Sequence, residues 1–354
     1  MKTRLTELLA IEHPIILASM AWITDAVLAA AVSRAGGLGT IGPNAGMKTV
    51  TTDVVETGER LRQEIRTCRE LTDKPFAVNF VVGVGGLDRK FSDQCVEVGI
   101  EERVPVAIVS QGSPAVYTRR LKDAGMKVIH VCSSVKHVKK AEAEGVDAVV
   151  ASGTEGGGHS GFDQITTLCL VPQAVDAVGI PVIAGGGIGD GRGLMAALSL
   201  GAAGVYMGTR FIATQECPAH PRIKEIILEA TDTSTIAVRH GNPARSKDSG
   251  AGDRGFVEER RGSIRLVLND YLRNILSDRS VGFDDIFADA NTPDPNTGSN
   301  RTVSSFVFGQ VEDTSITSGQ IAGLIRDVPR CEDLIRRMVT EASQVLGRLK
   351  GLAP

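Results

Sequence analysis

One histidine closes a glycine run in Ala151-Ser-Gly-Thr-Glu-Gly-Gly-Gly-His-Ser-Gly161, directly after the apolar segment Asp147-Ala-Val-Val-Ala151. Glycine adds no side-chain packing and costs backbone entropy. A run of it after a buried strand therefore marks main chain that must approach a guest closely or take a positive φ. His159 is the group in that run that can exchange a proton near neutrality, which suits a general acid or base. A lone histidine is more often a surface or packed residue, so the rest of the chain must supply its context. Two later segments, Ala184-Gly-Gly-Gly-Ile-Gly-Asp-Gly-Arg-Gly193 and Met207-Gly-Thr-Arg-Phe211, present bare backbone N–H groups at Gly186, Gly187, Gly208 and Thr209. Such groups can converge on one dianion, a phosphate above all. Asp190 and Arg192 read as capping or solvated residues. The six cysteines are dispersed and form no C-x-x-C pair, so neither a metal site nor a disulfide framework is signalled.

These residues need a scaffold that puts strand ends side by side. Up to about residue 210 the sequence alternates short β-branched runs with amphipathic stretches, the pattern of parallel strands joined by covering helices. Strands are expected at Pro14–Ala18, Leu38–Ile41, Phe76–Val81, Val104–Val109, Lys127–Cys132, Asp147–Ala151, Pro181–Ala184 and Gly204–Met207. Helices are expected at Asp25–Ala35, Thr52–Leu71, Lys90–Val98, Pro114–Ala124, Ser134–Glu144, Thr166–Val178 and Gly193–Leu200. An open doubly wound sheet would announce a nucleotide with G-x-G-x-x-G after its first strand, and none follows Pro14–Ala18. Glycines instead cluster after the sixth, seventh and eighth strands. That predicts an α/β fold of the TIM (β/α)8 type, whose phosphate site is commonly built after strands seven and eight.

Beyond Thr209 the alternation stops. The expected organisation is a barrel over 1–217, a small, partly helical insertion over 218–304 after strand eight, and a C-terminal helical segment over 305–354 returning to the barrel. Helices are expected at Pro221–Ala230 and Val257–Leu276, and loops at Gly241–Gly255 and Asp289–Asn300. The first of these loops is expected to act as a mobile lid or substrate-selecting flap. A net charge of −3 gives no electrostatic case for nucleic acid or an anionic membrane, which leaves a small-molecule substrate. The charged N-terminus and the lack of a spanning apolar run predict a cytoplasmic protein; a homodimer is left open.

The segments Ala18-Ser-Met-Ala-Trp22, Ala35-Gly-Gly-Leu-Gly39, Leu71-Thr-Asp-Lys-Pro-Phe-Ala-Val-Asn79, Gly153-Thr-Glu-Gly-Gly-Gly-His159, Pro181-Val-Ile-Ala-Gly-Gly-Gly187, Met207-Gly-Thr-Arg-Phe211 and Ser318-Gly-Gln-Ile-Ala-Gly323 together resemble the nitronate monooxygenase family, formerly called 2-nitropropane dioxygenases. That family includes flavin-dependent enoyl-acyl-carrier-protein reductase II enzymes and NAD(P)H:quinone reductases. The resemblance runs nearly end to end and is weakest from about Gly241 to Asn300. It implies a TIM barrel carrying FMN noncovalently, with the phosphate at Gly186, Gly187, Gly208 and Thr209. Met20 and Asn79 would line the flavin, Ser152 and Gly158 would join the cofactor site, and His159 would stand at the reacting face. Glu155 either orients its loop or faces solvent. The chain departs from the family pattern at Ala18-Ser19-Met20, at Ser152, and at Val131, where some members carry a lysine. The activity implied first is oxidation of an alkyl nitronate with O2 to a carbonyl compound and nitrite. NAD(P)H-dependent reduction of an enoyl thioester or quinone is the alternative, and a non-catalytic flavin-binding protein the rival of another class. A dehydrogenase of the IMP type would need a cysteine in the loop after strand six, and none lies between Cys132 and Cys169.

Overall fold

The structure, a computed structural model, describes residues 1–83, 86–239, 262–278, 286 and 299–352. The elements are, in order, α1 (Arg4–Leu9), β1 (Ile15–Leu17), α2 (Ala26–Arg34), β2 (Gly39–Ile41), α3 (Val54–Leu71), β3 (Phe76–Val81), α4 (Gly86–Glu101), β4 (Val106–Ser110), α5 (Thr118–Asp123), β5 (Lys127–Cys132), α6 (Val135–Ala143), β6 (Ala148–Ser152), a short β7 (Gly158–Ser160), α7 (Thr167–Ala177), β8 (Val182–Gly185), α8 (Gly191–Ser199), β9 (Gly204–Met207) and the one-turn α9 (Thr209–Ile212). β7 apart, these eight strands form one parallel sheet. It closes because β1 pairs with β9 and also bridges to the chain before β2 through Ile16 and Leu38. The fold is a TIM barrel, as expected, and every expected barrel strand is present within one or two residues.

Alternation along the strands sorts the core into two layers. Ile16, Ala77, Ile108, Ile129, Val150 and Ile183 fill the barrel interior, and Leu5, Leu9 and Ile11 from α1 and its exit plug the bottom. The opposite parity, including Leu17, Val78, Val109, Val149 and Val205, packs on the helices. Several helix starts are fixed by side-chain caps: Asp25 accepts from Leu28 N on α2, and Asp190 from Arg192 N and Gly193 N on α8. Asp190 and Arg192 are thus a cap and its surface ion-pair partner.

After α9 come α10 (Pro221–Glu229), β10 (Thr235–Arg239), β11 (Ser263–Val267), α11 (Asp270–Ser277), α12 (Arg301–Phe308) and α13 (Cys331–Lys350). α13 packs between α8 and α2, the place of the helix that should follow the eighth strand. Its approach is close: a methyl on Gly191 would lie 2.4 Å from Met338 O. The insertion therefore interrupts the last βα unit rather than following it. Glu216 accepts the Cys331 N–H at 3.1 and 3.0 Å, so the segment Glu216–His220 is structural: its carboxylate caps α13 and His220 caps α10.

Where a helix is expected over Val257–Leu276, the described part is a strand and then a helix. Ser263-Ile-Arg-Leu-Val267 alternates with period two, and Asn269 ends it by accepting from Leu272 N at the start of α11. The loop at Gly241–Gly255 lies outside the described residues, as does Asp289–Asn300 up to residue 298. Among the described residues no helix is long and apolar enough to cross a membrane.

Candidate functional site

The inward side chains at the carboxyl ends of the barrel strands form the floor. Asn79 is buried and its Nδ2 donates to Ile108 O at 3.0 Å, while its carboxamide and the Ser110 hydroxyl lie 3.2 Å apart. This holds the amide in one orientation in the wall. Tyr206 Oη accepts the Ser19 N–H at 2.9 Å, tying β9 to the turn after β1, and burial pushes its phenol up to about 12. Ser152 shares this inward parity at the end of β6. Met20 follows Ser19, and a methyl placed on Gly208 would meet Met20 Sδ at 3.4 Å and Ala18 Cβ at 3.6 Å, ordinary contact distances. The structure thus gathers Met20, Asn79, Ser152 and Gly208 around one mouth.

Gly186 and Gly187 have φ of +89° and +72°. A methyl on Gly186 would sit 2.8 Å from Gly153 O and 3.1 Å from Gly156 N, so the fold itself excludes a side chain there. At Gly208 no protein atom does so. These glycines stand at the ends of β8 and β9, which are neighbours in the sheet. A third wall was not anticipated: Gly319 N donates to Thr209 Oγ1 and Gln320 N to Glu155 O, both at 2.9 Å. The only sequence signal for this wall was the glycine of Ser318-Gly-Gln-Ile.

Glu155 is an organiser of its loop. Its carboxylate accepts the Thr167 N–H at 2.9 and 3.0 Å, in place of Thr166, which makes no side-chain cap at the start of α7. The Thr167 hydroxyl lies between Glu155 Oε2 at 2.9 Å and the carbonyls of Gly185 and Gly186 at 3.1 and 3.0 Å.

A small antiparallel sheet from the insertion forms the roof. β11 runs between β10 and β7, with Ile264 opposite His159 and Arg265 opposite Gly158; Ser160 and Ser263 hydroxyls meet at 2.7 Å. Opposed residues project to the same side. His159 therefore shares a face with Ile264, Leu266, Val238 and Ile236, an apolar face that packs on Leu272 of α11. The imidazole itself is exposed at the edge of that face. On the other face Arg265 is 6% exposed, with Nε donating to Thr154 O at 2.8 Å and Nη1 3.3 Å from Thr235 Oγ1. Burial pulls its guanidinium below the ordinary arginine range, and the field of Glu155 opposes that shift. Among the described residues no group of His, Cys, Asp and Glu side chains could hold a metal ion.

The family model described as nitronate monooxygenase matches residues 2–341. A (3aS,4S,5R,7aS)-5-hydroxy-7a-methyl-1-oxo-octahydro-1H-indene-4-carboxyl-CoA dehydrogenase from Mycobacterium tuberculosis is 35% identical over 364 residues, covering 97% of this chain and 96% of its own length. A probable nitronate monooxygenase from Staphylococcus saprophyticus is 37% identical over 288 residues, covering 69% of this chain and 78% of its own. The solved structure of FabK from Thermotoga maritima superposes with a TM-score of 0.81 at 36% identity and covers 100% of both chains.

Proposed function

Because this chain belongs to the nitronate monooxygenase family, an oxidoreductase family acting on small molecules, we propose that it is an FMN-dependent oxidoreductase of an acyl thioester. The observation that carries the thioester is the whole-length likeness to a carboxyl-CoA dehydrogenase, with FabK matching over the full chain as well. The apolar face beside His159 is not itself an acyl site, because Ile264 and Leu266 are buried against Leu272 of α11.

The residues present fit the cofactor. Gly186 and Gly187 turn through positive φ, and a Cβ on Gly208 would make only ordinary contacts with Met20 and Ala18, so packing among the described residues does not demand that glycine. Those main-chain groups and Thr209 would hold the phosphate, and Met20, Asn79, Ser152, Gly158 and Tyr206 would surround the ring. When bound, FMN supplies two-electron exchange with carbon and with NAD(P)H as co-substrate. The chain's own part is to orient and to move a proton. Asn79, locked by Ile108 and Ser110, presents a fixed amide edge. His159 gives the balancing proton at the carbon next to the thioester carbonyl when the double bond is reduced, or takes it in the reverse direction. The roof keeps water from the reacting carbons on one side.

Nitronate oxidation with O2 is the second reading, favoured by the family match and by the exposure of His159, which would remove the C–H proton of a neutral nitroalkane. Anaerobic mixing separates the two. Bleaching of the visible flavin band by NADH or NADPH, with recovery on adding an enoyl-CoA, is expected; the His159→Asn variant should bleach normally but recover on the order of 10²-fold more slowly. A flavin inert to both nucleotides, together with nitrite release from a primary nitronate, would replace the first reading by the second. An imidazole-free variant as fast as the parent on every substrate removes His159 from the mechanism.

A further inference from the structure

Arg265 lies in the inserted sheet, yet its contacts lead to the floor. Nε holds the Thr154 carbonyl at 2.8 Å and Nη1 reaches Thr235 of β10, so one guanidinium ties β10, β11 and the β6–α7 loop together. Thr154 is held on its N-terminal side as well, its N–H donating to Ile165 O at 2.9 Å. The cost of this arrangement is visible twice. Among the described residues Arg265 makes no direct ion pair, the carboxylate field reaching it being that of Glu155, whose oxygens are engaged by Thr167. The buried Thr154 hydroxyl has no hydrogen-bond partner either. An apolar side chain of similar volume would avoid the cost of a buried charge, so the arginine must contribute something packing cannot.

What it holds in place is Glu155, the next residue. Glu155 meets both halves of the phosphate cradle. Through Thr167 its carboxylate reaches the Gly185 and Gly186 carbonyls, and a methyl on Gly187 would lie 3.3 Å from its Cβ. Its carbonyl accepts from Gln320, whose neighbour Gly319 binds Thr209 Oγ1. Any shift of Thr154–Glu155 therefore moves both sides of the cradle.

We propose that Arg265 is a positioning residue that couples the inserted roof to the cofactor floor, so that FMN binding and docking of β11 stabilise one another; this rests on the flavin reading above. Coupling of this kind is reciprocal. The test is amide hydrogen exchange of the full chain with and without FMN, beside FMN titration. In the parent, FMN should slow exchange across Ser263–Val267, which contributes no residue to the proposed phosphate cradle. Arg265→Met should bind FMN about tenfold more weakly, within the usual range of coupling between sites, and lose the FMN-dependent protection of β11. Arg265→Lys, which can keep the Thr154 bond but not both, should restore part of it. The idea is overturned if FMN binds the parent without altering β11 exchange, or if Arg265→Met matches the parent in affinity and protection. A parent that does not bind FMN defeats the flavin reading instead. The tie is then judged in the ligand-free protein, where Arg265→Met must speed exchange over Gly156–Ser160 and unchanged exchange refutes it. Should that variant not fold, Thr235→Val, which removes only the Nη1 contact, must show the same loosening to a smaller degree.

Discussion

At the floor, Gly186, Gly187, Gly208 and Thr209 offer main-chain groups at the ends of strands hydrogen-bonded within a closed barrel. At the roof, His159 is held by three residues of antiparallel pairing, and Ser160 meets Ser263, 103 positions later, through a side-chain bond. The floor is built on the closed sheet, and on the proposed reading its chemistry is backbone chemistry, indifferent to most side-chain changes but intolerant of bulk. The roof's apolar side chains Ile236, Val238, Ile264 and Leu266 pack among themselves and on α11, so that, Arg265 apart, they could vary with little effect on the barrel. Function is commonly varied in this way, on loops carried by an unchanged scaffold.

The largest expected effect tests the floor. Gly208→Asp should fold, because a Cβ there meets Met20 and Ala18 at ordinary contact distances, yet bind FMN about 1000-fold or more weakly, since like charges brought together cost several kcal/mol. Thermal melting and the visible spectrum check both halves. Gly186→Asp should lose cofactor and stability together, given the 2.8 Å approach to Gly153 O. A yellow Gly208→Asp protein would move the phosphate elsewhere.

The next effect separates barrel from roof by pH. Burial, with help from the nearby His137, lowers His130 on β5 from 6.5 to about 4, and among the described residues its Nδ1 has no partner. The native state thus keeps the ring neutral where the unfolded chain protonates it. The neutral ring's contribution is complete above pH 6.5 and is lost progressively as pH falls toward 4, on the order of 3 kcal/mol in all. His130→Gln should remove that slope, read as the difference between parent and variant in chemical denaturation at pH 7 and pH 4.5. Parallel curves would show that the barrel does not carry this acid sensitivity.

The smallest effect sharpens the floor. Tyr206→Phe removes the 2.9 Å bond to Ser19 N and should cost about 1 kcal/mol of stability. If Tyr206 also faces the ring, the visible band of bound FMN should shift; an unchanged band with the stability loss would leave it a purely structural tie.

Much of this was legible in the amino-acid order. The alternation of β-branched with amphipathic runs and the positions of the glycines pointed to the barrel, because parallel strands buried on both faces need β-branched runs and glycines expose main chain wherever they occur. The glycine signals pointed to Gly186, Gly187, Gly208 and Thr209, whereas Met20 and Asn79 were implied by the family resemblance. Whether Glu155 oriented its loop was not legible, since its partner Thr167 becomes a capping site only once α7 starts there. β11 was read as part of a helix running on to Leu276 because Leu268, Leu272, Ile275 and Leu276 just after it suit a helical period. Its pairing to β7 depends on a contact that no local pattern encodes. Tertiary structure alone decided that His159 shares a face with Ile264, that α13 is the displaced eighth helix, and that Arg265 reaches Thr154. Each is a meeting of segments far apart in the chain, where burial and register rather than residue propensity choose the partner.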